Sequence, residues 1–266
     1  MGNTLVFGLS ALVSLAPVTI VAYRRNPGPD ALFWLTCLVA LAGPLTLVTA
    51  LFSETWQTDL STSLWLTVTV SMALFTGLCL VQPGAWRLAP LFGPYLIILG
   101  LFAVVSSHAP SHTVMPGVES WWVKSHILVS LTTYALLTLA AIAGLSVLLQ
   151  ERALRTRRRT RLTGLLPSIV DAETLQVRLL ILSEIILGAG LATGAASQLL
   201  ITGTPIGLDH KTVFAISAFL VIGALLVAHY RTGVRGRRAA RLALLAYLLI
   251  TLGYLGVKFV SEILIH

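Results

Sequence analysis

Long apolar runs alternate with short polar breaks along the whole chain. Eight runs of about 20 residues, enough to cross roughly 30 Å of hydrocarbon as a helix, lie near 4–22, 31–52, 63–81, 89–106, 126–149, 178–201, 212–230 and 242–262. A backbone surrounded by lipid must satisfy its own hydrogen bonds, which leaves helices or a closed barrel. Barrel strands alternate apolar and polar positions, whereas these runs are continuously apolar. The pattern predicts an all-α fold, a polytopic integral membrane bundle of about eight transmembrane helices.

Composition strengthens this reading. Charged residues make up 11% of the 266 positions and hydrophobic ones 56%, with a mean hydropathy of +0.90. Soluble domains carry about a quarter charged residues, so a soluble globular protein is excluded. Lys and Arg resist translocation and collect on the cytoplasmic side. With both termini outside, in the periplasm, every arginine falls inside: Arg24 and Arg25, Arg87, the set from Arg152 to Arg178, and the set from Arg231 to Arg241. The three lysines, Lys124, Lys211 and Lys258, fall at or near the outer face. This bias, together with contact to anionic lipid of the bilayer, accounts for the net charge of +8, so no nucleic acid partner is expected. The first run is expected to stay in the mature protein, because its positive charges follow the apolar stretch. Cys37 and Cys79 each lie inside a run and form no Cys-x-x-Cys pair, which argues against zinc, a disulfide framework or dithiol chemistry.

There is no internal repeat or low-complexity tract. The one long cytoplasmic connection, Gln150 to Arg178, separates five spans from three. Its portion "LTGLLPSIVDAETLQV" reads as an interfacial segment with Asp171 placed to cap a short helix. The basic run before it reads as a topology anchor. Span six carries Gly188, Gly190, Ala192 and Gly194, which suit close helix packing and would also suit a flat ligand.

The polar residues within this apolar frame carry the candidate chemistry. Of the six histidines, His108, His112, His126, His210 and His266 fall at or beyond outer ends of spans, and His229 falls at an inner end. Imidazole ligates metals and titrates near neutral pH, so the outer set could hold a metal, a heme iron or a proton. His126 opens span five with Ser130 and Tyr134 on the same helix face, and Trp121, Trp122 and Lys124 stand just upstream. These residues read either as an aromatic belt or as an axial ligand between flat walls beside a cation for anionic propionates. Asp209, His210 and Lys211 abut the start of span seven, which ends at His229, about 30 Å away along a helix. The two ends cannot serve one porphyrin, and His229 alone is equally readable as a polar residue at headgroup level. Glu184 lies inside span six, where an ionisable group needs a partner, and Arg178 or His229 is expected to supply it. Lys258 and Glu262 are spaced to pair with each other or to snorkel outward.

In order, "SHILVSLTTYALLTLAAIAGLSVLLQERAL", "LLPSIVDAETLQVRLLIL", "LATGA", "LDHKTVFAISAFLVIGALLVAHYRTGVRGRRAA" and "YLGVKFV" resemble the cytochrome c assembly family, with its heme-handling CcsA and CcmC types. The resemblance covers Ser125 to His266 and is similar in particular to the short HemX-like and YpjD-like branch. It implies two regions: residues 1–124, with transmembrane helices 1–4 and an outer loop, and residues 125–266, with helices 5–8 and the basic loop 150–178. Carried over, His126 matches the first outer histidine, His266 falls near the second, and Asp209 and Lys211 close the signature of the external loop. His229 before "YRTGVRG" matches the histidine inside the following span. The external loop "ITGTPIGLDHK" has no tryptophan, where cytochrome-maturation members carry several. On this resemblance Asp209, His210 and Lys211 are the remnant, or the re-tooled form, of an outer heme platform.

The implied cofactor is a non-covalent b-type heme, its iron held by His126 with His266 or His210. Trp121, Trp122, Lys124, Asp209 and Lys211 would surround it, and His229 would mark an inner heme position. The implied setting is a bacterial inner membrane, and the implied partners are heme and proteins of cytochrome c maturation or of the tetrapyrrole pathway. Two further readings stand beside it. One is a cation or proton transporter, or its accessory subunit, using Glu184, His229, Lys258 and Glu262. The other is a membrane factor stabilising a tetrapyrrole-synthesis enzyme through the arginine-rich loops. No nucleophile, phosphate-cradling or zinc-protease motif is present, so no enzymatic turnover is expected.

Overall fold

The computed structural model describes residues 2–24, 28–54, 59–107, 121–202 and 209–260. Among the described residues the regular structure is helical, and eight helical stretches are long and apolar enough to cross a membrane. They run Leu5–Ala22, Ala31–Phe52, Leu60–Val81, Ala85–Ser106, Ser125–Thr156, Ile169–Ala196, His210–Thr232 and Gly236–Phe259. The chain is a polytopic all-α membrane protein. It divides into two compact units, one of residues 1–113 with 146–172, the other of residues 114–145 with 173–266.

In the first unit, α1 (Gly2–Ser14) and α2 (Ala16–Ala22) share one span that is broken at Leu15. Pro17, in the first turn of α2, lacks the N–H that would continue the helix of α1. The α1–α2 span lies in notches cut by glycine on α3 (Ala31–Glu54) and α5 (Ala89–Ser106). A Cβ on Gly43 of α3 would stand 2.0 Å from Ser14 Oγ, and one on Gly93 of α5 would stand 2.3 Å from Thr19 Oγ1. The next helix, α4 (Leu60–Val81), is capped by Asp59, whose carboxylate accepts from Thr62 N at 3.3 Å. A prolyl residue inside α5, Pro94, cannot bond back to the carbonyl of Pro90. Tyr23, just past α2, supplies the missing donor: its hydroxyl reaches Pro90 O at 2.8 Å. Burial also pushes the Tyr23 phenol above its usual pKa.

The connection expected as a loop over 150–178 is largely helical. The fifth span continues to Thr156 as α6 (Trp121–Thr156), a short α7 (Arg161–Leu165) follows, and α8 (Ile169–Thr202) begins well before Arg178. Long Arg, Gln and Glu side chains carry their heads to water while their stems stay along the helix, so polarity alone does not end a helix here. Asp171 is not the cap of α8. Ser168 holds that place, accepting from Asp171 N at 3.2 Å while its hydroxyl donates to Asp171 Oδ2 at 2.7 Å. The Ser168 hydroxyl thus caps the helix while Asp171 accepts its hydrogen bond.

The second unit holds the start of α6, most of α8, α9 (His210–Thr232), α10 (Gly236–Thr251), a π-helical turn Leu252–Gly256 and α11 (Val257–Phe259). The eighth span therefore begins at Gly236, earlier than residue 242. Gly233, at φ +68°, closes α9 in a left-handed conformation that a Cβ would oppose. Glu173 of α8 then accepts from Gly236 N at 2.5 Å, fastening the start of α10 to the start of α8.

Candidate functional site

The second unit brings His126 of α6 against the small-residue face of α8. A Cβ on Gly194 would stand 3.1 Å from His126 Cε1, and one on Gly190 would stand 3.3 Å from Val129 of the same helix α6. Phe219 of α9 fills the corresponding notch at Gly188, 3.2 Å from a Cβ there. Close packing is thus the use these glycines have in the structure.

Hydrogen-bond accounting fixes the role of the His126 Nδ1. Thr193 donates its one hydroxyl proton to Gly190 O at 3.1 Å, and His126 Nδ1 lies 3.3 Å from the same Thr193 oxygen. The hydroxyl has only lone pairs left for the ring, so Nδ1–H donates and Nε2 is the ring's other nitrogen. Eight residues along α6, Tyr134 is buried, its hydroxyl 3.2 Å from that of Tyr247 and 3.4 Å from Thr251 Oγ1. Tyr254, in the π-helical turn, sets its ring 6.0 Å from that of Tyr134.

Asp209 has a local structural role. It is the N-cap of α9, accepting from Thr212 N at 3.1 Å and from the Thr212 hydroxyl. The hydrogen bond from the Thr212 side chain, with backbone bonds and the nearby Lys211 charge, holds its carboxyl below the usual range. His210 and Lys211 follow as exposed residues of the first turn. The Lys211 carbonyl lies 3.6 Å from the Cβ position of Gly253, in the π-helical turn, and Phe214 Cβ lies 2.8 Å from it.

His229 lies at the other end of α9, about 27 Å from Lys211 by helical rise. Its Nδ1 lies 3.0 Å from Val234 O, an oxygen that only accepts. Nδ1–H therefore donates, which leaves Nε2 as the ring's other nitrogen. Tyr230 meets the ring edge-on with centroids 5.1 Å apart.

The partners expected for Glu184 do not engage it. Its Oε2 is buried with no hydrogen-bond partner among the described residues, and Oε1 faces α9, 3.0 Å from the Cβ position of Gly223. His229 commits Nδ1 to its own turn instead.

His108, His112, Glu262 and His266 lie outside the described residues. Trp121, Trp122 and Lys124 stand on the first turn of α6, and their side chains lie outside the described set. Sequence reasoning did not single out Thr193, Tyr247, Tyr254, Thr251 or Glu173. The stretch "LATGA" did carry Thr193 and Gly194 within a recognised pattern, without showing that they seat His126.

Comparison with known proteins places the chain in a family. A protein of Azospirillum brasilense, named for its 28.8 kDa size and its position in a nifR3-like 5′ region, is 46% identical over the full length of both chains. The cytochrome c biogenesis protein CcsA of Prochlorococcus marinus strain MIT 9301 is 26% identical over 62% of this chain and 60% of its own. That of Parasynechococcus marenigrum is 24% identical over 62% of this chain and 61% of its own. The chain thus spans about three fifths of the length of these CcsA relatives. The family model described as cytochrome C assembly protein matches residues 31–265, and the chain belongs to that family.

Proposed function

We propose that this protein binds and hands on heme in cytochrome c biogenesis, in a bacterial inner membrane and without catalytic turnover of its own. What carries the reading is the shared state of His126 and His229. Each donates Nδ1–H to a protein oxygen, which leaves Nε2 as the nitrogen that could ligate a metal, the arrangement typical of metal-ligating histidines. The residues therefore fit a non-covalent, b-type heme, whose iron takes an imidazole nitrogen as axial ligand.

In this reading Nε2 of His126 would be one ligand at the outer position, with His266 or His210 as the second. Lys124, Lys211, Trp121 and Trp122 would surround the porphyrin there. His229 marks a separate inner position, since one porphyrin cannot bridge the length of α9. Thr193 and Val234 act as positioning groups that fix each ring. The cytochrome c biogenesis role attributed to the CcsA relatives supports this assignment, and other maturation proteins are its natural partners.

The test is an oxidised-minus-reduced absorption spectrum of the detergent-purified protein with a pyridine hemochrome assay. Near-stoichiometric heme is expected, with loss of the outer signal in His126→Gly and its return when free imidazole is supplied. Unchanged spectra in His126→Gly would overturn the outer assignment.

The partnerless Oε2 of Glu184 favours a second reading, a cation or proton pathway in which this carboxyl is the carrier. It predicts that Glu184→Gln abolishes ion flux in proteoliposomes whatever the heme content. Flux equal to that of the parent protein rejects it.

A further inference from the structure

The arginine-rich elbow between α6 and α8 is a built structure with an unusual backbone. After Thr156 the chain reverses through Arg157 at φ +52°, the one non-glycine residue with positive φ among those described. Glycine adopts that conformation freely and an L side chain resists it, yet an exposed arginine stands there. The conformation closes α6: Arg157 N–H bonds to Leu154 O and Arg158 N–H to Ala153 O, both at 3.2 Å, so the helix stop fixes where the next arginines stand.

The elbow is also clamped. Gln150 Nε2 of α6 donates to Thr163 O at 2.9 Å and Pro167 O at 3.0 Å, on both flanks of α7's last turn. Thr160 and Thr163 form a reciprocal cap for α7, and Arg161 donates to the backbone carbonyl of Tyr23, just past α2. The result is a rigid frame presenting Arg155, Arg157, Arg158, Arg159 and Arg161 to the exterior. No acidic residue occurs from 152 to 170.

The surroundings identify what meets these guanidinium groups. Leu154 is 61% exposed and Val170 is 71% exposed, and they sit where the spans Ser125–Thr156 and Ile169–Ala196 meet the elbow. Exposed apolar side chains on both sides put the elbow at the edge of the hydrocarbon, the depth of the headgroup phosphates. Guanidinium forks match phosphate oxygens in geometry as well as charge.

We infer that this elbow is a binding site for the phosphodiester headgroups of anionic phospholipid in the leaflet it faces. The site stands independently of the heme reading. It goes beyond a topology anchor, because a bulk charge bias needs no fixed shape and this one is fixed by Gln150, by the reciprocal cap and by Arg157.

The test uses the full chain in nanodiscs of phosphatidylcholine alone and of equal parts phosphatidylcholine and phosphatidylglycerol. Amide exchange across residues 155–165 is followed, together with the phosphatidylglycerol that co-purifies. Anionic discs are expected to slow exchange in the elbow and to lose that effect at high salt. Each arginine removed should lower affinity for the anionic bilayer by about fivefold. Arg157→Gly is the informative variant, since glycine suits the backbone there and removes the charge without threatening the fold. The triple variant Arg157→Gln, Arg158→Gln, Arg159→Gln should lose protection altogether, with exchange in the remainder of α6 and α8 unchanged. Equal protection in both disc types overturns the proposal. So does equal protection by inorganic phosphate added to phosphatidylcholine discs, which assigns the site to free phosphate. Protection that appears only with an added acidic protein assigns it to a soluble partner and likewise overturns it.

Discussion

The imidazole of His126 occupies the space left by the absent side chain of Gly194, whose Cβ would stand 3.1 Å from Cε1. That distance leaves a few tenths of an ångström to be recovered by an alanine, and no room for a branched chain. Gly194→Ala should retain heme. Gly194→Leu should release it as fully as His126→Gly does, at a cost of about 1–3 kcal/mol in stability from overpacking. The heme-to-protein ratio of the two variants decides whether the ring's seat governs ligation. Equal ratios would mean that it does not.

Thr193 acts on the heme through the ring. Thr193→Val keeps the shape of the side chain and removes the oxygen that accepts from His126 Nδ1–H. Losing the partner that orients a ligating histidine costs roughly 10- to 100-fold in metal affinity. Heme titration should therefore show weaker binding with the Soret position retained, and Thr193→Ser should restore the parent affinity. A merely structural role would move thermal stability and leave affinity as it was.

Asp209 makes the start of α9 sensitive to acid. Its folded pKa lies below the unfolded value, chiefly through the Thr212 hydroxyl bond. The cap's contribution is therefore complete above the ordinary aspartate range and is lost as pH falls through the depressed folded value. Amide exchange in the first turn of α9 should be flat across neutral pH and should rise only in strong acid. Asp209→Ala should raise it at neutral pH as well, by about 1 kcal/mol of lost capping. Asp209→Asn should preserve protection at neutral pH and remove the acid response. If heme affinity also falls in Asp209→Asn, the residue serves the site as well as the helix.

The spans were legible because burying some twenty apolar residues in lipid leaves a continuous signal that no local preference interrupts. Their ends were not. The helices run past Arg152 and start before Arg178, since side chains that snorkel give no stop signal and the stop at Arg157 is made without glycine. His126 could be picked out by its type and position, but Thr193 and Gly194 as its seat depend on the register between α6 and α8, which sequence spacing within either helix does not contain. Asp209 illustrates a different failure. An Asp three residues before a Thr at a helix start is a capping pattern in plain view, and its place beside His210 and Lys211 drew attention to chemistry first. Glu184 was expected to pair with Arg178 or His229, but its Oε2 has no partner among the described residues and His229 satisfies its own turn.

Tyr23 and Pro94 offer a test of the fold that is independent of any ligand. Pro94 leaves Pro90 O without its helical donor, and the Tyr23 hydroxyl fills the place at 2.8 Å. Tyr23→Phe should strand that carbonyl and destabilise the first unit by about 1–3 kcal/mol, the cost of an unsatisfied buried polar group. In Pro94→Ala the new N–H can bond back to Pro90 O, so the tyrosine becomes dispensable. The double variant Tyr23→Phe, Pro94→Ala should then be more stable than the sum of the two single changes predicts. Thermal unfolding of the four proteins in one detergent closes the cycle, and strict additivity would show that the two residues do not serve the same carbonyl.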